Sequence, residues 1–313
     1  MFDTAVFKVL AHNDTGAAAG HQGGIVIPKD IEEFFPPLPA TTDLLNPTVD
    51  IRLLADLFVN GRRVDQVETR FQHQTWGGTR SPERRLTDNL GALRNLARKD
   101  DIVLFTKDLS DDRYIQVHLV TQGTAEYLKI VQNLNGERWG PLDPKDPPVT
   151  RNEIAEAEHY LTEQEHGPAT AFDKERTIVE TRSVRRARDR AFRRRVLAQY
   201  DFSCAFTGRK FLSPPPSVAS GVDAAHVVPV ADNGSDHPAN GLPLTKELHW
   251  SFDRGLIGVD AARKVFVPES VRIILGNEFL RDLHGAPIRE AAAAGCCVLD
   301  EAFAWHRENV LIA

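Results

Sequence analysis

The chain is poor in cysteine, has no long apolar run and carries no net positive charge. Its 313 residues include three cysteines, Cys204, Cys296 and Cys297, of which the last two are adjacent. This odd set excludes a disulfide framework and a four-cysteine zinc site. No apolar stretch approaches the roughly 20 residues that cross a bilayer. The first ten residues lack the basic start and apolar core of a signal peptide. We therefore expect a cytoplasmic protein without membrane contact.

The charged residues are segregated along the chain. The formal net charge is −6 at pH 7, with 42% hydrophobic and 26% charged residues, which is typical of a globular protein. Acidic residues are concentrated in 143–180, whereas basic residues cluster in 62–98 and again in 182–195. Because the local field decides where a polyanion binds, the overall negative charge does not exclude nucleic-acid binding.

The strongest functional pattern lies in residues 223–253. β-Branched residues around Asp223 and His226 predict a short strand over 222–230. A loop rich in Asp, Asn, Gly, Ser and Pro follows, and Asn240-Gly241 predicts a turn that aims an amide side chain back at the strand. A strand followed by such a turn would bring His226 and Asn240 close together.

A predicted helix over 245–252 places His249 and Asp253, four residues apart, on one face. Phosphodiester hydrolysis needs a base to activate water and positive charge to stabilise the transition state. Neutral His226 can act as the base, while His249 and Asp253 can hold a divalent cation, for which we expect Mg²⁺ or Mn²⁺. Asn240 can organise the loop or contribute a ligand. A single histidine on a strand is more often a packing residue, but four suitable residues in this order favour catalysis.

Three short motifs mark this stretch: Ala224-Ala225-His226 with Pro229, then Asn240-Gly241-Leu242, then His249 with Phe252-Asp253-Arg254-Gly255-Leu256-Ile257. They resemble the AAHxxP, NGL and HxxFDxGLI motifs of the HNH endonuclease family of the ββα-metal class, over roughly residues 185–270. The resemblance implies that His226 is the general base, that Asn240 is a site organiser or ligand, and that His249 and Asp253 are metal-side residues.

One position departs from the family pattern. Many relatives place a metal ligand immediately before the general base, where this chain has Ala225. Asp223 lies two residues earlier on the same strand face. We therefore expect Asp223 to take the place of the missing ligand.

Residues 1–140 predict a β-rich domain. Strands are predicted over 5–10, 24–28, 49–59, 64–73, 101–106 and 115–121, with helical pieces at 28–35 and 88–97. The short connections favour an antiparallel barrel or sandwich. The Gly-rich stretch 16–24 has neither dinucleotide-binding spacing nor the lysine of a Walker loop, which argues against nucleotide binding.

Short motifs recur in this domain in a fixed order: Asn13-Asp14-Thr15-Gly16, Gly20-His21-Gln22, Gly24, Ile27-Pro28, Asn46-Pro47, Gly78-Thr79-Arg80 and Arg85-Leu86-Thr87. They resemble the N-terminal effector-binding domain of the EcoRII restriction enzyme, a DNA-binding pseudobarrel. The resemblance covers most of residues 5–135 and implies that this domain binds duplex DNA.

The arginine-rich stretch 70–85 supplies candidate DNA contacts. Arginine forks match guanine edges and phosphates, glutamine can recognise adenine, and an indole can stack or detect a methyl group. The alternative is a solvated loop between strands with one anchoring tryptophan. With the resemblance, the DNA-binding residues expected from this domain are Arg70, Gln74, Trp76, Arg80, Arg84, Arg85, His21 and Gln22.

A Pro-rich boundary over 136–150 separates this domain from two predicted helices. The prolines stiffen the chain and preclude a regular helix. The first helix is predicted from residue 151 to about residue 164, and the second over about 173–200.

The second predicted helix is strongly basic. It holds eight arginines against one aspartate between Arg182 and Arg195. Such a helix can neutralise phosphates without recognising sequence, and Arg193 and Arg194 are its expected DNA contacts. Phe192, Val196 and Leu197 are expected to face the nuclease core, with the arginines pointing outward. The alternative pairs the helix with the acidic segment before it.

The sequence therefore predicts an α+β protein of three parts. These are a β-rich pseudobarrel DNA-recognition domain over 1–140, a Pro-rich and helical linker over 141–180, and a ββα-metal HNH nuclease domain over 181–313. The combination resembles the modification-dependent restriction enzymes of the McrA type. It implies a restriction endonuclease that binds a specific site in double-stranded DNA, which either contains a modified base such as 5-methylcytosine or is unmodified.

Two other functional classes stay open at this point. One is a DNA-binding regulator with an inactive nuclease module, for which Ala225 is the warning sign. The other is an RNA-cleaving HNH toxin. For the nuclease hypothesis, one HNH site cuts one strand, so a homodimer is one expected route to double-strand cleavage.

Overall fold

The computed structural model of the chain describes residues 2–17, 23–43, 45–76, 81–173 and 181–312. They form two compact units. The first comprises Met1–Arg151 with Pro214–Ala219, and the second comprises Asn152–Ser213 with Ser220–Ala313. The linker predicted over 141–180 therefore spans the division between the two units.

The first unit is built on one sheet, whose strand order is β2-β5-β4-β3-β7-β6-β1-β8. Its strands are β1 (Val6–Val9), β2 (Ile25–Ile27), β3 (Thr48–Val59), β4 (Arg62–Gln74), β5 (Glu83–Thr87), β6 (Ile102–Asp108), β7 (Asp111–Val120) and β8 (Trp139–Pro141). Two α-helices accompany them, α1 (Gly91–Arg94) and α2 (Ala125–Val131), and a 3₁₀ helix spans Lys29–Phe34. The six predicted strands are confirmed, whereas β5, β8 and α2 were not predicted.

The sheet is mixed rather than wholly antiparallel. β3 and β7 pair in parallel, while the other neighbours pair antiparallel. The prediction of an antiparallel arrangement is thus wrong for this pair. β7 follows β3 only after β4, β5, α1 and β6, and a connection of this length allows the strand to return in the same direction.

Local sequence explains how the long strands meet. Asn60 and Gly61 both have positive φ, 48° and 78°, and they connect Val59 to its partner Arg62. This is the two-residue turn that suits the twist of a hairpin. The two edges of the sheet approach each other, because Trp139 of β8 donates to the carboxylate of Asp30, just after β2, at 2.8 Å. The sheet thus curls into the predicted pseudobarrel.

The second unit contains the ββα arrangement. Its elements are α3 (Arg151–His166), α4 (Arg182–Gln199), β9 (Val222–His226), β10 (Gly241–Thr245), α5 (Lys246–Asp253), β11 (Gly258–Val259), β12 (Val265–Phe266), α6 (Glu269–Arg272), α7 (Glu278–Leu283) and α8 (Asp300–Asn309). β9 pairs antiparallel with β10, and α5 follows at once. In the part of the chain that the structure describes, no helix is long and apolar enough to cross a bilayer.

α4 packs against the hairpin of β9 and β10. Phe192, Val196 and Leu197 are buried, as predicted. A Cβ atom at Gly241 would lie 2.2 Å from Val196 Cγ2 and 2.9 Å from Phe192 Cζ. Gly241 is extended, with φ −117° and ψ 132°, so the prediction of an Asn-Gly turn is wrong. The glycine permits the close approach of a helix.

α8 packs behind α5 through a buried histidine. The His306 ring stacks on Phe252 with ring centroids 3.8 Å apart, and His306 Nε2 donates to the Phe252 carbonyl oxygen at 3.0 Å. Burial lowers the pKa of His306 from 6.5 to about 4. This contact supports the end of α5, where Asp253 lies.

We expect Gly241→Ala to destabilise the second unit by about 1–3 kcal/mol, because the added methyl overlaps two buried side chains. Gly295→Ala is the matched control, since no atom lies within 4 Å of a Cβ there. Thermal unfolding of the two variants beside the wild type measures the difference. Equal melting temperatures for Gly241→Ala and the wild type would contradict this packing.

We also expect the protein to lose stability as the pH falls from 6.5 towards 4. The pKa of His306 is lower in the folded state, so the unfolded state takes up a proton first, at a cost to stability of about 3 kcal/mol. His306→Gln should flatten this part of the pH profile in urea unfolding. The exposed His159→Gln serves as control, and an unchanged profile in His306→Gln would contradict the assignment.

Candidate active site

His226 lies at the end of β9, opposite Gly241 of β10. Its ring stacks on Phe192 of α4, with ring centroids 3.7 Å apart and planes inclined by 9°. Nε2 lies 3.1 Å from Asp236 Oδ1, and the imidazole is 18% exposed. The ring is therefore fixed on one face and at one nitrogen, while part of it reaches solvent.

Asp236 is a site residue that sequence reasoning missed. Its carboxylate is 1% exposed, and its Oδ2 lies 2.7 Å from the guanidinium of Arg188 on α4. The acidic residue stands in a loop whose Asp and Asn residues are ordinary turn formers. The signal that could have identified it is a carboxylate placed four residues before the asparagine of the motif.

Asn240 is buried, and both the oxygen and the nitrogen of its side-chain amide form hydrogen bonds with backbone groups. Its Oδ1 accepts from the Val228 amide at 2.9 Å. Its Nδ2 donates to the carbonyl oxygens of Val228 and Ser235, each at 2.9 Å. These three bonds tie the loop to the end of β9, which favours the organising role over that of a ligand.

His249 and Asp253 lie one turn apart on α5. His249 Nε2 is 3.5 Å from Asp253 Oδ2, and both side chains are partly exposed. Burial raises the pKa of the Asp253 carboxyl, and the negative charge of Asp223 adds to this, whereas His249, Arg254 and His226 oppose it. α5 packs against β9, so the His249–Asp253 pair lies beside the strand that carries Asp223 and His226.

Asp223 is held by Arg193 of α4. Arg193 Nε donates to Asp223 Oδ1 at 2.7 Å, and its guanidinium also donates to the carbonyl oxygens of Val222 and Ser220. Ala225 is fully buried in the core. Among the described residues, no three His, Cys, Asp or Glu side chains are grouped closely enough to enclose a metal ion.

The basic helix points only some of its arginines outward as predicted: Arg182, Arg185 and Arg194 are exposed, whereas the others are partly covered. Besides Arg188 and Arg193, Arg194 pairs with Glu158 at 2.8 Å and Arg195 with Glu165 at 3.1 Å. Both acidic partners lie on α3. The alternative, in which this helix pairs with the preceding acidic segment, is confirmed for these residues, because helices of opposite charge attract. Arg194 is nevertheless 64% exposed.

The candidate DNA contacts of the first unit differ in accessibility. Arg70 of β4 is 30% exposed and lies 3.6 Å from Asp88 and 3.7 Å from Asp50. Arg84 and Arg85 belong to β5, and their guanidinium groups pair with Glu32 and Glu83. Arg85 is buried.

A polar cleft of about 700 Å³ opens on the sheet beside Arg70. Among its lining residues are Asp50, Arg70, Gln72, Gln74, Asp88 and Arg94. Trp76 lies two residues after the end of β4. Three other predicted contacts, His21, Gln22 and Arg80, lie outside the described residues. The roles of all these side chains in DNA binding stay predictions.

Comparison with known proteins identifies both units at the level of the domain. The model of the restriction endonuclease EcoRII N-terminal domain matches residues 2–152, and that of the HNH endonuclease family matches residues 204–260. The second match includes His226, Asn240, His249 and Asp253. No curated protein matches the chain.

Two solved structures are similar over part of the chain. One is a modification-dependent TagI restriction endonuclease, 19% identical with a TM-score of 0.31 over 38% of this chain and 37% of that one. The other is the B3 domain of the UbaLAI restriction endonuclease with cognate DNA, 18% identical with a TM-score of 0.27 over 44% of this chain and 82% of that one. The similarity thus spans little more than a third of TagI. The two family matches carry the assignment: the chain joins an N-terminal domain of the EcoRII family to a domain of the HNH endonuclease family, the composition of a restriction-endonuclease-like protein.

Proposed function

We propose that the protein is a metal-dependent DNA endonuclease of the restriction type. Its first unit selects a site in duplex DNA, and its second unit hydrolyses the backbone. The observation that carries the proposal is the position of His226, which is fixed by Phe192 and Asp236 and lies on β9, the strand against which the helix of the His249–Asp253 pair packs.

His226 acts as the general base. It takes a proton from a water molecule whose oxygen forms the new bond to phosphorus, while the bond from phosphorus to the leaving oxygen breaks. The stacked Phe192 ring prevents the imidazole from turning away. Asn240 acts through the backbone, because its amide fixes the loop that carries Asp236.

The residues on α5 fit a divalent cation. One imidazole and one carboxylate, those of His249 and Asp253, could bind Mg²⁺ or Mn²⁺ with water in the remaining positions. Burial, with a smaller contribution from the Asp223 charge, raises the pKa of Asp253, so a positive charge added there would favour the ionised carboxylate. His249 and Asp253 would hold the ion, and Asp223 could join them after exchanging its bond with Arg193. A bound cation would stabilise the charge that develops on the phosphate and the leaving oxygen.

The first unit supplies the choice of target. The polar cleft beside β4 presents both hydrogen-bond donors and acceptors, from Arg70, Gln72, Gln74 and Asp50, as recognition of base edges requires. The resemblance to McrA-type enzymes favours a site that contains a modified base such as 5-methylcytosine. Trp76 is the side chain we assign to the methyl group.

Cleavage of both strands needs two nuclease sites or two successive visits by one. Each chain carries one HNH domain. We therefore propose that the active form on duplex DNA is a homodimer.

The catalytic assignment predicts distinct losses in two variants. His226→Ala should lose cleavage of plasmid DNA by about 10²–10⁴-fold, because the general base is gone, yet still bind Mn²⁺ in isothermal titration. Asp253→Asn should lose both cleavage and Mn²⁺ binding. The exposed His159→Ala and Asp282→Asn are matched controls that should behave as the wild type.

Methylated and unmethylated plasmids should be used side by side, with an RNA substrate as a third arm. Cleavage that survives in His226→Ala would refute the base assignment. A wild type that cuts no DNA would favour the DNA-binding regulator, and one that cuts only RNA would favour the toxin.

Site choice should be changed by substitutions in the cleft of the first unit. Arg70→Ala and Gln74→Ala should each weaken the preferred site by about 1–3 kcal/mol relative to unrelated sequences, because a base contact is lost. Arg62→Ala, at the exposed opposite end of β4, is the control. Competition binding on a panel of duplexes, with and without 5-methylcytosine, measures the change, and equal weakening on all duplexes would show that these residues only contact phosphates.

A further inference from the structure

We infer that Asp236 is a positioning residue for His226, and that Arg188 holds the Asp236 carboxylate by one oxygen so that the other oxygen faces the imidazole. The inference rests on the proposed function, since it concerns the base of the same site. It assigns the reactive nitrogen of His226 as well as the residues that select it.

The contacts form a short buried chain. The Asp236 carboxylate is 1% exposed and lies between two partners: His226 Nε2 is 3.1 Å from Oδ1, and the Arg188 guanidinium is 2.7 Å from Oδ2. The Arg188 side chain is 12% exposed and lies over the ring of Tyr160 at 4.7 Å. Burial of a charged carboxylate costs free energy unless a cation is paired with it, and Arg188 is that cation.

This arrangement selects one tautomer of His226. A carboxylate oxygen accepts a hydrogen bond, so Nε2 carries the proton that it donates to Asp236. The lone pair of the neutral ring is then on Nδ1, which is the nitrogen that takes the proton from water. Because Phe192 stacks on the ring, the imidazole cannot flip about its Cβ–Cγ bond, so each nitrogen keeps its place.

The residue that pairs with Asp236 and the residue that stacks on His226 both belong to α4. Arg188 and Phe192 are four residues apart on α4 and so lie on the same face. The part of α4 expected from its charge to contact DNA therefore serves to orient the catalytic base.

An amide at position 236 should reverse the tautomer. The Arg188 guanidinium can only donate hydrogen bonds. In Asp236→Asn it therefore bonds to the one amide oxygen of the new side chain. The amide NH₂ then faces His226 Nε2, which has to accept, and the ring proton moves to Nδ1. The lone pair on Nδ1 is lost. In serine proteases, the Asp→Asn change beside a catalytic histidine lowers the rate about 10⁴-fold for the same reason.

Removing Arg188 as well should restore function in part. In the double variant Arg188→Met with Asp236→Asn, the amide is free to turn its oxygen towards Nε2. We expect the double variant to cleave at least about tenfold faster than Asp236→Asn, since part of the penalty for the wrong tautomer is removed. A residue that served only to stabilise the fold would give a further loss instead.

The experiment combines single-turnover cleavage with nitrogen NMR of the full-length protein. The ¹⁵N shifts of His226, assigned by comparison with His226→Gln, should show the Nε2–H tautomer in the neutral wild-type ring and the Nδ1–H tautomer in Asp236→Asn. Asp232→Asn, an exposed aspartate in the same loop, should match the wild type in rate and spectrum.

Two results would overturn the inference. One is an Nδ1–H tautomer in the wild type, a result that does not depend on any variant being folded. The other is a double variant no faster than Asp236→Asn while both melt as folded proteins. A wild type that cuts no DNA would refute the proposed function, while the NMR arm would still decide the tautomer.

Discussion

The close packing of α4 on the hairpin of β9 and β10 is the contact on which the candidate site depends. The approach is so tight that only glycine fits at position 241. At this distance Phe192 reaches the ring of His226, Arg188 reaches Asp236, and Arg193 reaches Asp223. A larger side chain at 241 would move all three together. Stability and catalytic geometry in the second unit thus share one cause.

The charges of the second unit are largely compensated within it. The basic helix α4 pairs with acidic residues from α3, from β9 and from the loop before β10. Such pairs fix geometry more than they add stability, since desolvation offsets much of the Coulomb attraction. Arg194, which keeps most of its surface exposed, is better placed for a phosphate than Arg188 or Arg193. The local charge of a segment therefore overstates its contribution to DNA binding.

Part of the family motif in the first unit also serves the fold. Asp14, from the stretch Asn13-Asp14-Thr15-Gly16, is buried and pairs with Lys8 at 2.7 Å, and it accepts from the backbone amide of Val26. Burial lowers the pKa of Lys8. Arg94 donates to the carbonyl oxygens of Asp14 and Thr15. These contacts join β1, β2 and α1 beside the cleft, which Arg94 lines, so the motif contributes to the shape of the cleft.

The sequence by itself determined much of the local secondary structure of this protein and the families of its two domains. Periodicity located six strands of the first unit, and spacing placed His249 and Asp253 on one face of a helix, because these features depend on neighbours within one turn or one strand. Family motifs then indicated the HNH and EcoRII-type domains. Only the tertiary structure decided the contacts between distant segments. These are the parallel pairing of β3 with β7, the bond between Asp236 and His226, and the close approach of α4 that requires glycine at position 241. Arg188 and Asp236 are far apart in the chain, and nothing local distinguishes them from solvated charges. Their roles arise because burial between α4 and the hairpin removes water and leaves each charge dependent on its partner.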